Sequence, residues 1–207
     1  MNYALITGAS SGIGYEVARL FAKNGHDIIL VARQEDKLAN VASGLEKEYA
    51  INAQIIAIDL GHPQTADEIF QRVQERCLTV DHLVNNAGFY VKGPFSETSW
   101  EEEMKLIQLQ CLNHIQLTKL FLPEMIKRGM GRILNVGSTG SFVPGPYNAV
   151  YCAAKSFALS FSEAIAEEVS GSGVTVTALC PGGTKTSFQD VKNRGRSLWQ
   201  RSYCYGR

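Results

Sequence analysis

The sequence predicts an α/β fold, a mainly parallel sheet of about six strands with helices on both of its faces. Three observations predict it. Short runs of β-branched and aliphatic residues alternate with longer stretches of helical period. Strand-like runs such as IILVA and RILNV are continuously apolar, as strands covered on both faces are. The connections are short, and Gly25, Gly129 and residues 171–173 supply chain reversals ahead of strands.

Taken in order, the strand runs fall at residues 3–7, 27–32, 52–58, 81–85, 131–137 and 174–179. Helical patterns occupy 13–24, 35–49, 64–77, 100 to about 127, and 150–169. Each helical stretch therefore lies between two strands, as a parallel crossover requires. The stretch from 100 is long enough to contain a bend. Pro123 is expected to disturb or end its last part, because proline lacks the N–H that a helix interior uses. No repeat or linker divides the chain. The expectation is one domain over residues 1–190, followed by an irregular basic tail at 191–207.

The composition narrows the function class. Of 207 residues, 45% are hydrophobic, enough for a sizeable core, and 20 Lys plus Arg balance 20 Asp plus Glu. A neutral chain advertises neither a nucleic-acid footprint nor an anionic membrane surface. Cysteines stand at 77, 111, 152, 180 and 204, an odd number with no CxxC pair, and four of them sit in apolar periodic segments. That usage suits a reducing compartment and small hydrophobic roles. The start, MNYALITGAS, has no basic region and no apolar stretch near the roughly 20 residues that span a bilayer, so a soluble, cytoplasmic protein is expected.

The first strand runs into Thr7-Gly8-Ala9-Ser10-Ser11-Gly12-Ile13-Gly14, and a helical pattern follows at once. Glycines there let the backbone turn, let a phosphate approach and let the helix pack closely, while the helix start offers N–H groups to a pyrophosphate. An ordinary strand-to-helix turn is the alternative, and the spacing differs from GxGxxG. A P-loop is disfavoured, since no Lys-Ser/Thr pair follows the glycines.

Arg33 follows the second strand, where a dinucleotide fold places the adenosine ribose. An acidic residue there would accept from two ribose hydroxyls, whereas arginine pairs with a 2′-phosphate, which favours NADPH over NADH. A solvated turn arginine is the plainer reading. Asp59 and Leu60, after the third strand, suit an adenine edge, although the aspartate could equally cap the helix near Pro63. Asn85, Asn86, Ala87 and Gly88 end the fourth strand and either leave room for a ribose or make an Asx-type turn.

The second half carries the acid–base chemistry. Ser138 ends the fifth strand run, and Tyr151 and Lys155 follow at i and i+4, on one face of a helix. A phenol ordinarily titrates near pH 10. A neighbouring ammonium favours the phenolate and is expected to lower that value. Ser138, at the carboxyl end of a parallel strand, is placed to donate to a substrate oxygen. A tyrosine and a lysine four apart also arise by chance, and it is the preceding serine and glycine loop that give the pair its meaning.

Together these residues resemble the short-chain dehydrogenase/reductase family over roughly residues 2–188. The glycine motif at 7–14, the NNAG of 85–88, the serine, tyrosine and lysine at 138, 151 and 155, and the Pro181-Gly182-Gly183-Thr184-Lys185-Thr186 loop occur in the family's order. The resemblance implies a Rossmann-type three-layer sandwich and hydride transfer between NADP(H), with NAD less favoured, and a small-molecule carbonyl or alcohol. It implies that Tyr151 protonates the carbonyl oxygen, that Ser138 orients it, and that Lys155 binds the nicotinamide ribose and tunes the phenol. It further implies cofactor contacts from Gly8, Ser10, Ser11, Gly12, Ile13, Gly14, Arg33, Asp59, Leu60, Asn86, Ala87, Gly88, Tyr151, Lys155, Pro181, Gly182, Thr184 and Thr186. No metal, nucleic acid or membrane span is implied.

Two departures stand out. The family's relay asparagine corresponds to Gln110, counted back from Leu122-Pro123. The extra methylene could shift the relay by the order of 1 Å, enough to cost about a hundredfold in rate, and Asn113 is a possible substitute. The second departure is at the end. Lys192 to Arg207 holds five basic and no acidic residues and no strand pattern, so the family's usual seventh strand is expected to be missing. A truncated or frame-altered reductase is expected, with residues 174–179 as an open sheet edge and an incomplete homo-oligomer surface. The tail reads as a solvated end rather than an RNA-binding or membrane-touching arm. The alternative to a reductase is a catalytically impaired nucleotide-binding or structural protein derived from the same family.

Overall fold

The computed structural model describes residues 2–184. All six expected strands form: β1 (Asn2–Thr7), β2 (Asp27–Ala32), β3 (Ala53–Ala57), β4 (Thr79–Asn85), β5 (Gly131–Val136) and β6 (Val174–Leu179). They make one sheet, parallel throughout, in the order β3-β2-β1-β4-β5-β6. The crossovers carry α1 (Gly12–Lys23), α2 (Glu35–Tyr49), α3 (Thr65–Glu75), α4 (Trp100–Ile107), α5 (Asn113–Arg128) and α6 (Ala149–Glu168).

Strand parity builds the layers, because successive side chains point to opposite faces. Ala4 and Ile6 of β1 pack with Ala18 of α1 and Leu38 of α2. Tyr3 and Leu5 turn the other way, onto Ile69 of α3 and Phe121 of α5. Ile165, near the end of α6, joins that second cluster. Leu5, Ile6, Ile28, Ile29 and Leu30 are fully buried, each worth roughly 1.5–3 kcal/mol relative to exposure. The result is the Rossmann-type three-layer sandwich. The chain leaves β1 towards β3 and then towards β6, so the crevice opens at the carboxyl ends of β1 and β4, where the strand order reverses.

Several details differ from expectation. Asn52 lies outside β3, and its N–H donates to the Asp27 carboxylate at 2.8 Å. Cys77, expected among apolar neighbours, is exposed at φ 52, just beyond α3. The break in the long helix is not at Pro123. It is a π-helical segment, Gln108–Leu112, between α4 and α5, and Pro123 sits inside a continuous α5. Proline there removes a single donor near the helix end, and buried Phe121 and Met125 hold the helix on either side of it.

Among the described residues β6 pairs with β5 alone. Val174 and Val176 point into the core, Thr175 and Thr177 outward, and Leu179 is 40% exposed. The expected tail, the question of a seventh strand, Cys204 and Thr186 lie outside the described residues. No helix among the described residues is long and apolar enough to cross a membrane.

Candidate active site

The turn after β1 is fixed from both sides. Gly8 donates its N–H to the Val31 carbonyl of β2 at 2.8 Å. Thr7 Oγ1 donates to Val84 O at 3.1 Å and accepts from the N–H groups of Asn86 and Ala87 at 2.9 and 3.0 Å. Asn86 Nδ2 closes the junction on Thr7 O at 2.9 Å. Gly8 has φ 68, and a Cβ there would stand 2.8 Å from Asn86 Nδ2 and 2.9 Å from Ala87 Cα, so only glycine fits. The cradle at the start of α1 is thus made by the Asn86 turn as much as by the glycines. Ser11 is the N-cap residue, but its side chain makes no cap bond to the N–H groups of the first turn.

Gly14 is not among the residues that line the crevice, and a Cβ there would run into the Gly8 carbonyl and Asn86 Nδ2. Its role is the close seating of α1 under the turn. The other predicted cofactor residues in the described chain line one cleft of about 1040 Å³ with Ser138, Tyr151 and Lys155. Gly8, Ser10, Ser11, Gly12 and Ile13 form its middle, and Arg33, Asp59 and Leu60 one end. Asn86, Ala87 and Gly88 lie beneath, and Pro181, Gly182 and Thr184 complete the far wall.

Asp59 lines the cleft and does not cap a helix. Its Oδ1 accepts the Gly61 N–H at 2.9 Å, an Asx turn that sets the direction of the chain. Asn113, the possible relay substitute, is bonded at the Leu60 end of the cleft. Its Nδ2 donates to the Leu60 carbonyl, and its Oδ1 accepts from Gln108 at 3.2 Å, so it braces the Leu60 end of the cleft.

At the other end, Ser138 caps a short 3-10 turn, Thr139–Ser141, through the Gly140 N–H at 3.1 Å. Ser141 Oγ in turn donates to the Lys155 carbonyl at 2.7 Å, tying that turn to α6. Tyr151 and Lys155 do share one face of α6. The Lys155 ammonium donates to Val136 O at 2.8 Å and lies 5.7 Å from the centre of the Tyr151 ring. The Pro-Gly loop is joined to the same region, since Thr139 N–H donates to Pro181 O at 3.0 Å.

The electrostatics depart from the simple tyrosine–lysine expectation. Burial raises the Tyr151 phenol above its ordinary value, opposed by its hydrogen bond with Ser138. Lys155 is 4% exposed, and burial brings its ammonium down to about 8. With its charge tied to Val136 O and not to the phenol oxygen, the lysine does not outweigh desolvation of Tyr151. His114, behind it on α5, is held neutral, at about 3, by burial and then by the Lys155 charge.

Gln110 is fully buried outside the cleft lining, and its Nε2 donates to the Phe89 carbonyl at 2.6 Å. Its amide N–H is thus committed to the loop after β4, while its buried Oε1 has no hydrogen-bond partner. Sequence reasoning missed Lys37, Phe89, Tyr90, Lys92, Lys105 and Leu109, all of which line the cleft. Lys37, in the first turn of α2 and four residues past Arg33, was the detectable one.

The residues present suit a dinucleotide: a glycine cradle that a Cβ would fill, a helix start beside it, and an arginine and a lysine at one end. The short chain dehydrogenase family pattern matches residues 2–197. The ketoacyl reductase HetN of Nostoc sp. is 32% identical over 192 residues, 92% of this chain and 66% of that protein. A very-long-chain 3-oxoacyl-CoA reductase of Bos taurus is 31% identical over 206 residues, 97% of this chain and 64% of that protein. This chain therefore spans about two thirds of the length of these relatives. A short-chain dehydrogenase from Sphingobium yanoikuyae, solved in complex with NADPH, superposes with a TM-score of 0.87 at 34% identity, covering 92% of this chain and 74% of that one. By its glycine cradle, its serine, tyrosine and lysine on one cleft, and these matches, the chain belongs to the short chain dehydrogenase family.

Proposed function

We propose that this chain is an NADP(H)-dependent oxidoreductase that interconverts a carbonyl compound and its alcohol. The observation that carries the reading is that Ser138, Tyr151 and Lys155 line the same cleft as the Gly8 turn and Arg33. The NADPH bound by the Sphingobium relative supports the choice of cofactor.

The Gly8–Ile13 turn would hold the pyrophosphate, Arg33 with Lys37 the 2′-phosphate, and Lys155 the nicotinamide ribose. When bound, the cofactor supplies the hydride that the protein's own groups do not have. Tyr151 is kept in its phenol form by burial, which is the form that gives a proton to a carbonyl oxygen. Ser138 shares a hydrogen bond with Tyr151 and holds the oxygen that receives the proton. The 3-10 turn fixes Ser138, and Val136 O fixes the Lys155 ammonium, so the constellation is set before substrate arrives.

Nicotinamide oxidation over a panel of aldehydes and ketones tests this directly. Tyr151→Phe is expected to lose at least a hundredfold in turnover with NADPH affinity retained, and Arg33→Asp to weaken NADPH relative to NADH. Equal turnover by wild type and Tyr151→Phe contradicts the mechanism, and an unchanged cofactor preference in Arg33→Asp contradicts the 2′-phosphate assignment.

A further inference from the structure

Gln110 has a structural contact with the loop after β4. It is 0% exposed, in the π-helical segment, and its Nε2 donates to the Phe89 carbonyl at 2.6 Å. The same amide lies against the preceding residue, since a Cβ on Gly88 would sit 3.1 Å from Gln110 Oε1 and 3.2 Å from its Cδ. The plane of the glutamine amide therefore supports the backbone of residues 88–89 from below. An asparagine at this position, one carbon–carbon bond of about 1.5 Å shorter, would not reach the carbonyl without moving the chain.

The residue that this support delivers is Tyr90. Its ring meets the Tyr151 ring edge to face, with centroids 5.9 Å apart at 66°. Both rings line the cleft. Rings at that separation are in direct contact, so one flank of Tyr151 is closed to substrate.

We propose that Tyr90 is a specificity-determining residue that closes one side of the carbonyl site, and that Gln110 is the positioning residue that holds it there through the Phe89 carbonyl. The substrate class this fits is a carbonyl with one small flank, an aldehyde or a methyl ketone. A ketone bulky on both sides meets the Tyr90 ring. The inference rests on the reading of Tyr151 as the acid–base residue, since it is the approach to that phenol which Tyr90 restricts.

The test compares a methyl aryl ketone with a diaryl ketone. Their kcat/KM values are measured with NADPH, and their dissociation constants with NADP+, whose oxidised ring cannot reduce either ketone. Tyr90→Ala is expected to shift the preference at least tenfold towards the diaryl ketone in both measurements, and Tyr90→Phe, which keeps the ring, to leave it as in wild type. Gln110→Met, similar in length but unable to donate, is expected to shift the preference in the same direction with NADPH affinity unchanged. In a Tyr90→Ala background it is expected to add nothing, because its effect passes through Tyr90.

A preference within twofold of wild type in Tyr90→Ala, or no binding of the methyl ketone to wild type, overturns the proposal. Equal shifts from Gln110→Met with and without Tyr90 overturn the positioning role. Full turnover by Tyr151→Phe would instead overturn the underlying reading, while the dissociation constants with NADP+ still decide whether Tyr90 closes the site.

Discussion

Lys155 places an ammonium at 4% exposure against the Val136 carbonyl, 2.8 Å away. Burial disfavours the charged form and brings its pKa from 10.5 down to about 8. The sign of the stability effect follows. Between about pH 8 and 10.5 the unfolded chain keeps a proton that the folded chain has released, so stability rises with pH across that window. Below it the folded state carries the full desolvation cost. Lys155→Met is therefore expected to melt higher than wild type at pH 7 by several degrees, at about 2–4 °C per kcal/mol for a chain of this size. The gain should shrink towards pH 10. Thermal melts at both pH values check this, and a variant that melts lower at pH 7 contradicts it. The i and i+4 spacing of Tyr151 and Lys155 was legible, because a helix fixes which residues share a face. The direction of the Tyr151 shift was not, because it depends on how deeply α6 buries the phenol and where the ammonium goes, and neither is a property of spacing.

The strands and most helices were legible for a physical reason: a parallel sheet covered on both faces needs continuous apolar runs, and β1 and β2 are such runs. The π-helical segment at Gln108–Leu112 was not. It has no composition of its own, and one added residue rotates everything after it by roughly 100° around the helix. That rotation helps explain why counting from Pro123 could not say that the Gln110 amide N–H turns to Phe89, or that Asn113 turns to Leu60. The glycines divide in the same way. Gly8 and Gly14 are held against Asn86 and each other, whereas Gly44, exposed in the middle of α2, has nothing within 4 Å of an added Cβ. Gly44→Ala is expected to stabilise the chain by about 0.5–1 kcal/mol, since alanine loses less backbone entropy in a helix. An unchanged or lower melting temperature would show that α2 is not helical at that point.

Across the molecule, the cleft is assembled from segments far apart in sequence. The Gly8 turn, Arg33, Asp59, the Asn86 turn, Ser138 and Tyr151 all lie at the carboxyl edge of one sheet, about the point where its strand order reverses. That convergence was legible because all but Tyr151, which lies in α6, directly follow a strand run. Tyr90, Lys92 and Lys105 escaped because their positions depend on how the loop after β4 and α4 return over that edge. The claim on which the functional account stands is that NADPH occupies this cleft from Arg33 to Tyr151. Hydrogen exchange with and without NADPH measures it most directly. The account predicts that NADPH slows exchange together in residues 8–14, 86–92 and 136–155, with β3 and α3 little changed. Saturating NADPH that protects none of these segments, or protects the glycine turn while leaving 136–155 untouched, contradicts it.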